Sequence, residues 1–141
     1  MIISLSIILP CFNEEENIIH LYNELNEIQF KNTDIFEIIF VQNGSTDNTE
    51  SKINSVIKIN KNNNLIIKMV KASSNLGYGG GIKKGIENSN GEYIAWTHAD
   101  LQTPLKDLYK LYNCMKDNKF SFGKGHRSNN RGYDGIVSRF H

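Results

Sequence analysis

Ile2-Ile3-Ser4-Leu5-Ser6-Ile7-Ile8-Leu9, running directly into Pro10-Cys11-Phe12-Asn13-Glu14, is the stretch on which the fold turns. Its first part is a β-branched, apolar run stopped by a proline, the pattern of a strand buried on both faces rather than one alternating toward solvent. Beyond the proline, Asn13 is placed to cap a helix, with Glu16 three residues on as a capping-box partner and Glu14 and Glu15 at the positive end of the dipole. Ile18, Leu21, Tyr22, Leu25 and Ile28 then fall on one helical face.

The same unit of buried strand, polar loop and amphipathic helix recurs outward from there. Ile35 to Val41 reads as a second strand, Gly44 and Ser45 as turn and cap, and Ile53, Val56 and Ile57 as the apolar face of the next helix. Leu65 to Val70 reads as a third strand, and the glycine-rich stretch Asn75 to Gly85 opens a weaker helix ending near Asn90-Gly91. Glu92 to Thr97 is a fourth strand, and Pro104 starts a helix carrying Leu105, Leu108, Leu111, Tyr112 and Met115. Phe120 to Gly123 begins a fifth strand, and the tail after it is polar. Strands alternating with helices predict a doubly wound α/β fold, a mainly parallel sheet with right-handed crossovers and helices on both faces.

The composition agrees with that class. A chain of 141 residues with 39% hydrophobic and 22% charged residues is expected to form a single domain spanning 1–141 with its own core. Sixteen Lys and Arg against 15 Asp and Glu leave a net charge of +1 and no basic stripe, which argues against nucleic acid as a partner. Cys11 and Cys114 are too few and too far apart for a disulfide framework or a CxxC motif, so reduced, buried thiols are expected. The apolar start lacks a basic n-region and is far shorter than the ~20 residues of a membrane span, which predicts a cytoplasmic chain without a signal peptide.

Ligands of such sheets bind beyond the carboxyl ends of the strands. The polar clusters Pro10 to Glu14, Gln42 to Asp47, Asn75 to Gly81 and His98 to Gln102 each follow a predicted strand, so they should converge on one edge. A dinucleotide fingerprint fails there, because a GxGxxG begun at Gly77 meets Ile82 where its last glycine belongs. A P-loop fails as well, since Gly80 and Gly85 have the spacing but Ile86 replaces the lysine. The glycines still allow close backbone approach to an anion such as a diphosphate at a helix start, a role read for Gly77 and Gly79 beside Asn75, while Gly85 reads as helix–sheet packing. Asp100, held at the edge by the strand Tyr93 to Thr97, with Gln102 two residues on, offers the oxygen ligands that Mg²⁺ or Mn²⁺ takes alongside substrate phosphates. The competing reading makes Asp100 or Thr103 a cap for the helix near Pro104.

These motifs together resemble family 2 glycosyltransferases of the GT-A fold. Pro10-Cys11-Phe12-Asn13-Glu14 is similar to their P-x-Y-N-E start, Asn43-Gly44-Ser45-Thr46-Asp47 to D-G-S-T-D, Asn75-Leu76-Gly77-Tyr78-Gly79 to N-x-G-x-G, and Ala99-Asp100-Leu101-Gln102 to the A-D-L-Q of the D-x-D region. The likeness covers about Ile3 to Arg127 and is nearest the dolichyl- and polyprenyl-phosphate sugar synthases. It implies an inverting transferase with a UDP- or GDP-sugar donor and Mg²⁺ or Mn²⁺ as sole cofactor. Its nucleotide-binding residues would be Pro10, Phe12, Glu14, Asn43, Ser45, Asp47, Asn75, Gly77, Gly79 and His98, with Phe12 near the base and Glu14 and Asn43 on base or ribose. Asp100 and Gln102 would hold the metal, and Arg127, in Gly125-His126-Arg127 resembling the G-S-R that ends the family's fifth strand, would contact donor or acceptor phosphate, while Arg131 and Arg139 read either as a solvated basic tail or as further phosphate ligands.

The sequence departs from the family at three places. Gln42-Asn43 stands where Asp-Asp is common, and His98 replaces the first Asp of D-x-D, leaving it to meet ribose, metal or a structural partner. The third is length: the family's domains continue into an acceptor-binding half that carries the catalytic base, so this chain looks like the donor-binding half of a transferase, or a noncatalytic nucleotide-sugar-binding module. The acceptor expected is a polyprenyl phosphate, itself an anion that needs no general base, or a cell-surface glycan. A lipid acceptor would bring the chain to the inner face of a membrane.

Overall fold

All seven residues of strand β1 (Leu5–Cys11) and all eight of β2 (Phe36–Asn43) are buried, as mainly apolar strands between two helical layers should be. The computed structural model describes residues 1–31, 33–125 and 135–139. Its further strands are β3 (Leu65–Ala72), β4 (Tyr93–Thr97), β5 (Phe122–Lys124) and β6 (Gly135–Arg139), joined in one sheet of order β3-β2-β1-β4-β6-β5. The first four run parallel, with Leu5 beside both Phe36 and Tyr93. The chain therefore winds outward from β1 to β3 and then crosses back to place β4 on the other side of β1, which makes the β1–β4 seam the topological switch point.

Helices α1 (Ile18–Glu27), α2 (Thr49–Ile59) and α4 (Leu105–Asn118) cover one face, burying Ile18, Leu21, Leu25, Ile53, Val56, Leu105, Leu108, Tyr112 and Met115 against Leu5, Ile7, Leu9, Phe36, Ile38 and Phe40. Helix α3 (Gly77–Glu87) covers the other face over Ile8, Ile39, Val41 and Ile94. It lies so close that a Cβ at Gly85 would land on the Ile8 side chain, the packing role expected of that glycine. The α3 face also buries one carboxylate: Glu37, 2% exposed, accepts hydrogen bonds from Ser6 Oγ (2.6 Å) and from the backbone and side chain of Asn90 (2.9 and 3.0 Å), and pairs with Lys68 (2.7 Å).

Four local expectations are corrected. Asn13 does not cap α1: it takes a left-handed φ of 53°, and the helix starts at Ile18 behind Asn17, with no side-chain cap bond. Ser45 does not cap α2, whose N-cap is Asn48. The tail is not merely polar, because β6 enters the sheet antiparallel between β4 and β5. Cys11 is buried as expected, but Cys114 is exposed. Burial, with the Glu14 carboxylate nearby, pushes the Cys11 thiol far up, so it stays protonated and inert. Among the described residues no helix is long and apolar enough to cross a membrane.

Candidate functional site

The loops that follow β1, β2 and β4, together with the loop that opens α3, meet at the carboxyl edge of the sheet. The first two are laced together by Asn13. Its left-handed backbone, which asparagine tolerates better than most residues, points Oδ1 at the next loop, where it accepts the N–H groups of Thr46 (2.8 Å) and Asp47 (3.3 Å). In return Asn13 N–H donates to Ser45 Oγ at 3.1 Å, and Ser45 Oγ–H to the Cys11 carbonyl at 3.3 Å. Asp47 Oδ1 accepts both the N–H (2.9 Å) and the hydroxyl (2.5 Å) of Thr49, and Glu14 N–H donates to Thr49 Oγ1 at 2.9 Å. Burial pushes the Asp47 carboxyl up, and the donated hydrogen bonds from Thr49 and Glu15 outweigh it, holding the group below the usual carboxylate range. Phe12 is left 44% exposed beside this lacework, and Glu14 is half-buried, its carboxylate accepting from Asn17 Nδ2 at 2.6 Å.

Gln42 and Asn43 turn inward. Gln42 Oε1 accepts Ser45 N–H at 2.9 Å, and its amide donates to Glu50, which also pairs with Lys71 at 2.7 Å. Asn43, 3% exposed, receives the Leu76 N–H on Oδ1 and donates from Nδ2 to the Gly77 carbonyl, both at 3.0 Å. Its amide thus fastens the glycine loop to the end of β2, which an aspartate could do on one side only, having no donor for the Gly77 carbonyl. Pro10 is buried under Gly81, where a Cβ would come within 3.0 Å of it. Asn75 closes the turn by accepting Gly77 N–H at 2.8 Å, Gly77 itself having a φ of +72°. At Gly79 an added Cβ would meet nothing within 4 Å, so among the described residues that part of the loop faces open space.

Gly44 is the tightest point of the edge. Its φ is +75°, and a Cβ there would lie 2.5 Å from Asn75 N and 2.7 Å from Ser74 C, backbone atoms that cannot yield. Gly44→Ala is therefore expected to cost about 2 kcal/mol or more in left-handed strain and displaced loop backbone. Gly79→Ala, in the first turn of α3 with open space around it, should be neutral or stabilising by up to about 1 kcal/mol. Urea unfolding of the two variants checks the contrast, and equal midpoints would show that the glycine loop is not seated on Gly44.

At the end of β4 the His98 ring stacks on Tyr78 of the glycine loop, centroids 4.0 Å apart and planes 4° apart. Asp100 follows, half-buried, with Oδ1 accepting the Gln102 N–H at 3.1 Å across Leu101, whose φ of 64° is strained for a leucine. Neither Asp100 nor Thr103 caps α4. Pro104 holds that position, and Leu105 N–H donates to Glu24 of α1 at 3.0 Å. The Asp100 carboxylate therefore stands at the switch point without a helix-capping duty. Among the described residues no group of three or more His, Cys, Asp and Glu side chains could hold a cation unaided. One carboxylate with an amide neighbour does fit a hard cation that completes its shell with phosphate oxygens and water.

Of the residues expected at the site, the structure thus brings Pro10, Phe12, Glu14, Asn43, Ser45, Asp47, Asn75, Gly77, Gly79, His98, Asp100 and Gln102 to the carboxyl edge. Asn43, Ser45 and Asp47 spend polar atoms on the scaffold there. Arg127 and Arg131 lie outside the described residues. Arg139, read from sequence as solvated tail or phosphate ligand, belongs to neither: it sits beside Tyr93 at the amino end of β4, pairs with Glu92 at 3.1 Å and lies over the Tyr93 ring. Thr49 and Tyr78 were not singled out from sequence. A hydroxyl two residues after Asp47, and an aromatic alone in a glycine run, were the available signals.

Comparison with known proteins bears on the same loops. An uncharacterised glycosyltransferase of Synechocystis is 34% identical over 117 residues, covering 83% of this chain and 36% of that protein. A dolichyl-phosphate beta-glucosyltransferase of Dictyostelium discoideum is 32% identical over 120 residues, covering 80% of this chain and again 36% of the relative. The chain thus spans little more than a third of the length of these relatives. Among solved structures, a mannosyltransferase from Pyrobaculum calidifontis in complex with GDP-Man and Mn²⁺ superposes with a TM-score of 0.79 at 16% identity, over 99% of this chain and 45% of that one. The sheet and its helices are accordingly those of GT-A glycosyltransferases. The sequence model described as Glycosyl transferase family 2 matches residues 6–136, from the second residue of β1 into β6, and so takes in every loop of the carboxyl edge. With the fold, the edge and the matched span in agreement, this chain belongs to glycosyl transferase family 2.

Proposed function

We propose that this chain is the donor-binding part of an inverting, metal-dependent glycosyltransferase that takes a sugar from a nucleoside diphosphate carrier. The observation that carries the reading is the position of Asp100 just past the switch-point end of β4, on the same sheet edge as the loops after β1 and β2 and the start of α3. Asp100, with Gln102 beside it, would hold Mg²⁺ or Mn²⁺ against the donor diphosphate. When bound, such a cation neutralises charge that builds on the departing diphosphate. The protein's own part is placement: Phe12 and Glu14 flank the base and ribose, His98 borders them, and the backbone at Gly77 and Gly79 lets the diphosphate approach. Asn43, Ser45 and Asp47 act by fixing those loops. Held in this way, the anomeric carbon is open to attack from the face opposite the diphosphate.

The acceptor most compatible with this chemistry is a polyprenyl phosphate. Its phosphate is already anionic near neutral pH and needs cationic positioning rather than a general base; Arg127 is assigned to that role on the family resemblance alone, and Arg131 on the fit of a guanidinium to phosphate. The Dictyostelium relative is a dolichyl-phosphate beta-glucosyltransferase, which supports the class. Such an acceptor would bring the chain to a membrane surface.

Calorimetric titration of the purified chain with UDP and with GDP, each with Mn²⁺ and with EDTA, tests the reading. Binding of one nucleotide that disappears in EDTA is the expected result. Binding together with slow hydrolysis of the matching nucleotide-sugar identifies a transferase, and binding without turnover a noncatalytic module. A folded chain that binds neither nucleotide would overturn the assignment of this edge.

A further inference from the structure

The glycine loop is held from two sides, and only one of them is explained by packing. On the inner side Asn43 ties Leu76 and Gly77 to β2, and Gly81 rests on Pro10 of β1. On the outer side Tyr78 stacks on His98, so the loop is carried past β1 to the end of β4, across the switch point. Tyr78 is the single aromatic between Ala72 and Glu92, set in the run Gly77-Tyr78-Gly79-Gly80-Gly81. A run of glycines has the largest backbone freedom to lose on becoming ordered. A ring placed within it supplies a contact that the glycines cannot. The partner is specific to this chain's departure at position 98: an aspartate there would offer no ring to stack on, whereas the imidazole lies nearly parallel to the phenol at 4°.

We infer that Tyr78, in the first turn of α3, and His98 form a ring latch that holds that turn and the glycine loop leading into it over the carboxyl end of β4, and that both are positioning residues for the nucleoside diphosphate bound beneath it. Because His98 is followed two residues later by Asp100, the latch fixes the distance between the loop backbone and the Asp100 carboxylate. The ring of His98 acts here through its face, not through a nitrogen bound to ligand. The second half of the inference rests on the nucleotide reading of this edge; the first half does not.

The test has two arms. In the nucleotide-free protein, amide hydrogen exchange at Leu76 and Gly77, whose N–H groups are bonded to Asn43 and Asn75, reports how often the loop lifts. Tyr78→Ala and His98→Ala should each speed that exchange by roughly 3- to 10-fold, the range expected for losing one aromatic pair. The double variant should be no faster than either single one, since both remove the same contact. Tyr78→Phe and His98→Phe, which keep a ring, should restore slow exchange. In the second arm, UDP and GDP titrated with Mn²⁺ should bind the two alanine variants more weakly by a similar factor, with affinity recovered in His98→Phe.

Unchanged exchange in the alanine variants, or additive effects in the double variant, would overturn the latch. Slow exchange without recovered affinity in His98→Phe would overturn the positioning role and make His98 a direct nucleotide contact. Should the parent bind neither nucleotide, the nucleotide reading and the positioning role fall together, while the exchange arm still decides the latch. Tyr78 is 39% exposed and His98 half-buried, so loss of either ring leaves the core intact.

Discussion

Asp100→Ala is expected to abolish the metal-dependent part of nucleotide binding, lowering affinity in Mn²⁺ by about 100-fold or more, since even the residues that support a metal ligand are worth 10- to 100-fold. The variant in Mn²⁺ should then resemble the parent in EDTA. The carboxylate has a second duty that must be separated from this one: Oδ1 accepts the Gln102 N–H at 3.1 Å and so steadies the left-handed Leu101. Asp100→Asn keeps that acceptor and removes the charge. If the asparagine variant loses metal-dependent binding as fully as the alanine variant, the charge is what matters. If asparagine restores it, Asp100 serves the turn and the cation is held elsewhere. Parent-like titrations of Asp100→Ala in Mn²⁺ would remove Asp100 from the metal site altogether.

What could be read from the sequence follows from how local each signal is. Strands β1 to β4 and the helices between them carry their evidence in their own residues: continuous β-branched runs such as Ile7-Ile8-Leu9, and apolar residues at helical spacing such as Ile18, Leu21 and Leu25. The convergence of the loops then followed from topology alone. The misreadings fall where a residue's partner is distant in the chain. Asn13 looks like a cap beside Glu16, yet its bonds go to Thr46 and Asp47. Likewise Gly135 to Arg139 has too short an apolar stretch to announce a strand, and becomes one because β4 and β5 supply both of its neighbours. Asn43 is the instructive mixture. Its position at the edge was legible from the motif, but its duty was not, because nothing local shows that both atoms of its amide are spent on Leu76 and Gly77.

Glu37→Ala is expected to be the most destabilising single change on the α3 face, costing about 3 to 5 kcal/mol, the range for removing one partner from a buried ion pair. Against a total stability of roughly 5 to 15 kcal/mol for such a domain, that is a large share. The reason lies in what is left behind. Ser6 Oγ–H, two donors of Asn90 and the Lys68 ammonium all point at this carboxylate, and the Ser6 hydroxyl in turn accepts Gly91 N–H at 2.8 Å. Without Glu37, these donors lose the acceptor that joins the turn after α3 to β1, β2 and β3. Burial pushes the Glu37 carboxyl up, but the hydrogen bonds from Lys68, Ser6 and Asn90 outweigh it and hold its pKa below the ordinary glutamate range. The sign for stability follows. Above the ordinary value of about 4.3 the carboxylate is ionised in both states and its stabilisation is whole. As the pH falls below that value the unfolded chain takes up the proton first, and the contribution is lost progressively toward the lower folded pKa. Asp47 and Glu50 are shifted in the same direction, so the parent's acid sensitivity is a sum. The difference between the parent and Glu37→Gln isolates the part due to this residue, because glutamine keeps the shape and does not titrate. Urea unfolding from about pH 7 to about pH 3 should therefore show the parent approaching the glutamine variant as acid is added. A constant gap across that range would show that the ionisation of Glu37 does not carry its stabilisation, and a loss of under about 1 kcal/mol in Glu37→Ala would show that its contacts with Lys68 and Asn90 add little to the fold.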